Sequence, residues 1–179
     1  MGFNGRKPNF LVIMVDEERY PTSYDSQEVK DFCKTYLSAQ NAIRSAGMEF
    51  HRHYAGATAC TPSRATIFTG QYPSLHGVTQ TSGLAKSSSD PQMFWLDANS
   101  VPTMGDYFRA GGYQTFYKGK WHVSHADISI PGTHDSLQIY NNDGTVIEQN
   151  RAIYQKANRL ADFGFDGWVG PEPHGAAKV

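Results

Sequence analysis

The sequence predicts an α/β fold, a mainly parallel sheet flanked by helices, and three stretches carry that expectation. Residues 9–16, Asn-Phe-Leu-Val-Ile-Met-Val-Asp, form a continuous apolar run closed by an acid. Both faces are apolar and β-branched residues contribute, the pattern of a central strand in a parallel sheet. Across residues 26–46, Val29, Phe32, Cys33, Tyr36, Leu37 and Ile43 keep roughly helical spacing, with Gly47 placed to cap the C-terminus. Tyr113-Gln114-Thr115-Phe116-Tyr117 reads as a further strand.

At 179 residues the expectation is a single domain without an internal boundary, large enough for a real core. Sixteen Lys and Arg against seventeen Asp and Glu leave the chain near neutrality, so no nucleic-acid partner is expected. Two cysteines, Cys33 and Cys60, make neither a disulfide framework nor a zinc ribbon. The apolar run 10–15 is too short to span a bilayer, and no membrane partner is expected. Residues 1–6 hold no signal-peptide core, and Arg6 stands where a myristoylation motif wants Ser or Thr after Gly2. A cytoplasmic setting is the expectation.

Taken in order, Asp16-Glu17-Glu18 falls at the C-terminal end of the first strand, where open α/β sheets place their ligands. It is either a solvated acidic turn or a set of carboxylates for a hard divalent cation. Cys33 lies on the apolar face of the 26–46 helix and is assigned to the core. Residues 48–54 alternate loosely as a strand that would set His51 and His53 on one face, a weak zinc signal.

Residues 59–70, Ala-Cys-Thr-Pro-Ser-Arg-Ala-Thr-Ile-Phe-Thr-Gly, read as a loop turning into a short helix. Pro62 suits the first helical position and Gly70 a left-handed C-cap. Cys60 then lies at or just before the helix N-terminus, where unpaired N–H groups and the macrodipole favour an anion. Arg64 adds a cation one turn on. Read alone, Cys60 is equally a small buried thiol.

Residues 79–100 are rich in Ser, Gln and Asp around Met93-Phe94-Trp95. They read as a loop over a site mouth, the aromatics either meeting substrate or packing. Thr103 caps a short helix to Ala110 that Gly111-Gly112 ends. Lys118-Gly119-Lys120-Trp121-His122 is, alone, a basic turn. Asn141-Asn142-Asp143-Gly144 is the turn of a hairpin, residues 155–163 read as a helix, and there is no internal repeat.

Cys60-Thr61-Pro62-Ser63-Arg64, closed by Thr69-Gly70, resembles the sulfatase signature, in which the cysteine is oxidised to formylglycine. The continuation Gln71-Tyr72-Pro73-Ser74-Leu75-His76-Gly77-Val78 is similar too. A second stretch resembles that family's second motif, carried by Gly112, Tyr113, Thr115, Gly119, Lys120, Trp121 and His122. Phe163-Gly164-Phe165-Asp166-Gly167-Trp168 matches a phrase common after it. The resemblance implies the alkaline-phosphatase-like sulfatase fold, here incomplete, with residues 1–179 as the N-terminal portion of a catalytic domain.

It implies a metal-dependent hydrolase of sulfate esters working through formylglycine derived from Cys60. Asp16 matches the first metal-binding acid; the second position, Asp in the family, holds Glu17. With the modified Cys60 these would bind a divalent metal, Ca²⁺ first, with Mg²⁺ or Mn²⁺ as alternatives. Arg64 would hold the oxygen of the hydrated aldehyde, Lys120 a sulfate oxygen, and His122 the second hydroxyl, so Lys120 and His122 also bind substrate. The implied partners are a small-molecule sulfate ester and a formylglycine-generating or anaerobic sulfatase-maturing enzyme. The alternatives are a phosphonate or phosphate monoester hydrolase of the same superfamily, and a truncated non-catalytic fragment. His125, His134 and His174 take no assigned role.

Overall fold

In the computed structural model, which describes residues 6–20, 22–83, 86–125 and 127–169, the chain divides into two units, Met1–His53 and Tyr54–Val179. His174 and Gly2 lie outside the described residues.

In the first unit the helical pattern of 26–46 becomes two helices, α1 (Gln27–Tyr36) and α2 (Ser38–Ala46). The Ser26 hydroxyl caps α1 by accepting from the Val29 N–H, and Glu28 and Lys34 stand at the ends that suit the helix dipole. The helix breaks at Leu37, whose ψ of 53° leaves the helical basin. Asn41 Nδ2 takes the Lys34 carbonyl released there, at 2.7 Å. Neither helix buries a residue, so Cys33, expected in the core, is only partly shielded.

The expected strand at residues 9–16 is not a strand, and Leu11 and Ile13 are 85% and 70% exposed. A strand apolar on both faces is stable only with neighbours at its edges and layers on its faces. Among the described residues the only sheet lies elsewhere in the chain. Residues 48–54 likewise form a turn and coil, with His51 Nδ1 2.9 Å from the Tyr20 hydroxyl.

The second unit holds the core. Its helices are α3 (Cys60–Thr69), α4 (Pro73–His76), α5 (Met104–Ala110) and α6 (Glu148–Lys156), with a 3₁₀ turn at Ala161–Phe163. Two short strands, β1 (Phe116–Lys118) and β2 (Gly167–Val169), pair in parallel, Tyr117 opposite Trp168. The architecture is mixed α/β, but the mainly parallel sheet expected is, among the described residues, this one pair.

The centre of the packing is Trp121, fully buried, its ring centroid 4.7 Å from Phe68, 5.3 Å from Phe163 and 5.8 Å from Phe165. Such tilted and edge-to-face aromatic contacts add to the burial of large apolar area. Helix α5 docks on the 3₁₀ turn through a capping box. The Thr103 hydroxyl accepts from the Gly105 N–H and donates to the Phe163 carbonyl, while Asp106 accepts from the Thr103 N–H. Thr115 and Asp166 exchange main-chain and side-chain bonds that set β1 beside β2, and the Thr115 N–H holds the Asp166 carboxyl below its usual range.

The hairpin expected around Asn141–Gly144 is present as a bridge between Tyr140 and Val146. The helix expected at 155–163 lies earlier, as α6. Asn158 Nδ2 instead donates to the Phe165 and Asp166 carbonyls, both at 3.0 Å, and folds the chain back as a turn. No helix among the described residues is long and apolar enough to cross a membrane.

Candidate active site

Helix α3 begins two residues earlier than Pro62 predicts: Cys60 is its first residue, behind an extended Ala59 with no side-chain cap. Pro62 still falls in the first turn, where a missing N–H costs no helical bond. Gly70 closes the helix at φ 67°, the left-handed cap expected of it. Cys60 is a free, partly exposed thiol.

The helix is pinned from one side by α4. The Val78 N–H donates to His76 Nδ1, so the proton of the neutral ring sits on Nε2, 3.1 Å from the Thr66 hydroxyl. Thr66 in turn donates to the Pro62 carbonyl at 3.0 Å. Burial pushes the pKa of His76 down, which keeps this neutral arrangement.

From the other side α3 reaches residues 118–122. Arg64, 5% exposed, donates from Nη1 to the Lys120 carbonyl at 2.7 Å, and the Tyr117 hydroxyl donates to the same oxygen. The loop leaves β1 through Gly119, whose φ of 94° a side chain would strain. Gly119 is clamped to β2, its N–H on the Val169 carbonyl and its own carbonyl accepting from Trp168 Nε1. Trp121 then plugs the core, its Nε1 donating to Ser124 Oγ at 2.7 Å.

His122 follows at φ 52°, a left-handed conformation rare outside glycine, and is 2% exposed. Strain of this kind is held by surrounding structure and gathers at functional sites. His122 Nε2 lies 2.8 Å from Ser82 Oγ and 3.2 Å from Thr61 Oγ1, which is itself 3.0 Å from Thr81 Oγ1.

The first turn of α3 and the 118–122 loop, separated in sequence by residues 65–117, are thus in contact through Arg64–Lys120 and Thr61–His122. Cys60, Arg64, Lys120 and His122 belong to these two segments. Asp16 and Glu17 lie in the first unit, where Glu17 turns the chain at φ 61°. Sequence reasoning missed Ser82 and Thr81. A serine in a serine-rich loop carries no spacing signal, and its role shows only where it meets the imidazole.

Residues 8–159 match the family model described as Sulfatase. The chain belongs to the sulfatase family. It is 32% identical over 124 residues to the uncharacterized sulfatase YidJ of Escherichia coli (strain K12), covering 68% of this chain and 21% of that protein. It is 30% identical over 122 residues to human arylsulfatase G, covering 68% and 21%. Human N-acetylglucosamine-6-sulfatase is 30% identical over 116 residues, 65% and 19%. This sulfatase chain therefore spans about a fifth of the length of the curated relatives it matches.

Sulfatases typically bind a metal. Among the described residues no group of three or more His, Cys, Asp and Glu lies close enough together to hold one. These residues do not by themselves complete a metal centre.

Proposed function

We propose that the chain is part of a sulfuric ester hydrolase that acts through a formylglycine made from Cys60. The observation that supports it most is the Arg64–Lys120 bond, which ties the modification motif to the second motif. A hydrated formylglycine supplies one hydroxyl to attack sulfur, breaking the ester S–O bond and releasing the alcohol, and a second whose deprotonation restores the aldehyde and expels sulfate.

The chain's own residues would serve that chemistry as follows. The first-turn N–H groups and dipole of α3 favour negative charge beside residue 60. Arg64, permanently charged, offsets anionic charge and holds a diol oxygen. The Lys120 ammonium binds a sulfate oxygen, aimed where charge grows during transfer. His122 accepts the proton of the second hydroxyl. Asp16 and Glu17 are the carboxylates offered to a divalent cation, Ca²⁺ first. The maturation partner would be a formylglycine-generating or anaerobic sulfatase-maturing enzyme.

The test is the mass of the tryptic peptide carrying Cys60 after expression with a maturing enzyme, together with turnover of an aryl sulfate. Conversion lowers the peptide by about 18 Da, from replacing –CH2SH by –CHO, and Cys60→Ala abolishes turnover. A thiol that stays unmodified overturns the formylglycine reading. Faster turnover of a phosphate monoester than of the sulfate shifts the chemistry to phosphoryl transfer. A converted chain that turns over neither ester is a non-catalytic fragment.

A further inference from the structure

The run 9–16 has the composition of a strand without lying in a sheet. Phe10, Leu11, Val12, Ile13 and Val15 are each more than half exposed, from 57% to 85%, and residues 6–15 take no regular structure. Six consecutive apolar residues, several β-branched, with no proline or charge among them, make the kind of segment that pairs strand to strand.

The flanks narrow what it pairs with. Arg6 and Lys7 precede the run and Asp16, Glu17 and Glu18 follow it, all exposed. A second copy lying parallel would set cations on cations and acids on acids. An antiparallel copy sets each basic flank against an acidic one, which favours pairing at both ends. Two antiparallel strands related by a two-fold axis align odd residues with odd and even with even, because facing residues share one hydrogen-bonding type. Alignment about Val12 then puts Arg6 opposite Glu18, Lys7 opposite Glu17 and Leu11 opposite Ile13.

Pro8 selects the edge. Proline has no N–H, so the ladder runs on the edge formed by odd-numbered residues, with Pro8 at a non-hydrogen-bonded position facing Asp16. The other edge would need a Pro8 N–H at each end of its ladder, which discourages growth past two copies. Glu17 leaves the extended region at φ 61°, so the ladder stops at residue 16 and the flanking charges meet through their side chains. We propose that two copies of this chain pair antiparallel through residues 8–16, about a two-fold axis at Val12. The pairing is independent of the ester chemistry. Two short strands are marginal in water, so the pair is weak, with a dissociation constant of about 10–100 µM.

Sedimentation velocity of the full chain, at concentrations on either side of that range, reads the dimer. Glu17→Lys/Glu18→Lys makes both flanks basic, and Arg6→Glu/Lys7→Glu makes both acidic. Each should raise the dissociation constant about tenfold or more. Mixed in equal amounts, the two variants should associate at least as tightly as the unaltered chain, which also shows that both have kept their fold. Cross-linking reads the register. In a Cys33→Ser/Cys60→Ser background, Val12→Cys meets itself across the axis at a spacing a disulfide can bridge, whereas position 15 faces Asn9. Val12→Cys should therefore oxidise to a linked dimer about tenfold faster than Val15→Cys. A monomer throughout the range, assemblies larger than two, a dimer indifferent to either charge reversal, variants that stay apart on mixing, or equal cross-linking at positions 12 and 15 would each overturn the proposal.

Discussion

The Ser82 hydroxyl stands 2.8 Å from Nε2 of His122, nearer than the Thr61 hydroxyl at 3.2 Å, and both residues are buried with it. Two hydroxyls from segments on either side of the α3–α4 turn therefore hold one ring nitrogen of a residue at a strained φ. In the proposed mechanism Ser82 is a positioning residue, acting through His122.

Removing that hydroxyl should change the imidazole before it changes the fold. Ser82→Ala is expected to cost about 1 kcal/mol of stability, the net worth of one hydrogen bond. Sulfate-ester kcat should fall about tenfold, part of what a general base contributes, with KM little changed. The readouts are the pH–rate profile and the ¹⁵N shifts of His122. Ser82→Thr should restore both, and an Ala variant with an unmoved pH profile would reduce Ser82 to packing.

Arg64 should matter to the fold as well as to chemistry. Arg64→Ala removes a buried, charge-assisted bond to the Lys120 carbonyl and leaves space in the core, for a loss of about 2–4 kcal/mol in urea unfolding. Arg64→Lys should recover less than half of it, because a single ammonium cannot reproduce the guanidinium's fork. Full rescue by Lys would mean that charge alone suffices.

The α3–α4 turn should loosen in mild acid. The folded pKa of His76 is depressed, so below the ordinary value of 6.5 the unfolded chain takes a proton that the folded chain refuses. Stability from this group is present above pH 6.5 and declines as pH falls through and below it. Denaturant midpoints between pH 8 and pH 5 should show the decline, and His76→Gln should flatten it. An equal slope in the variant would place the titration elsewhere.

Helix α5 meets the 3₁₀ turn too closely for a side chain. A Cβ on Gly105 would lie 2.5 Å from the Phe163 carbonyl oxygen, and one on Gly164 2.0 Å from the Asp106 nitrogen, all main-chain atoms with little room to yield. Gly105→Ala should destabilise by about 1–3 kcal/mol, as overpacking does, and Gly164→Ala by more, since Gly164 also sits at φ 79°. Thermal melts of the two variants provide the check.

The sequence was most legible where a local signal and a motif coincide. Gly70 as a left-handed cap, Thr103 as the cap of α5 and the Asn141–Gly144 turn are each set by residues within a few positions. Proline misled by two residues at α3, because the whole first turn tolerates it and not only its first position. The run 9–16 was unreadable for a different reason. Its pattern reports what a strand would need around it, and a sheet's partners are not written in the strand. In the site, Arg64 and His122 are visible through their motifs, whereas the Ser82 hydroxyl depends on which loops happen to cross.

Trp121 sits between Lys120 and His122 and is wholly enclosed by the aromatic cluster. The two residues offered for chemistry are therefore cantilevered from one indole, with no slack between foundation and tool. Trimming Phe68 or Phe163 would shift the 118–122 loop well before the chain melts. Phe94, largely exposed, and Trp95 stand outside that cluster, so substitutions have freedom there and almost none beneath the 118–122 loop.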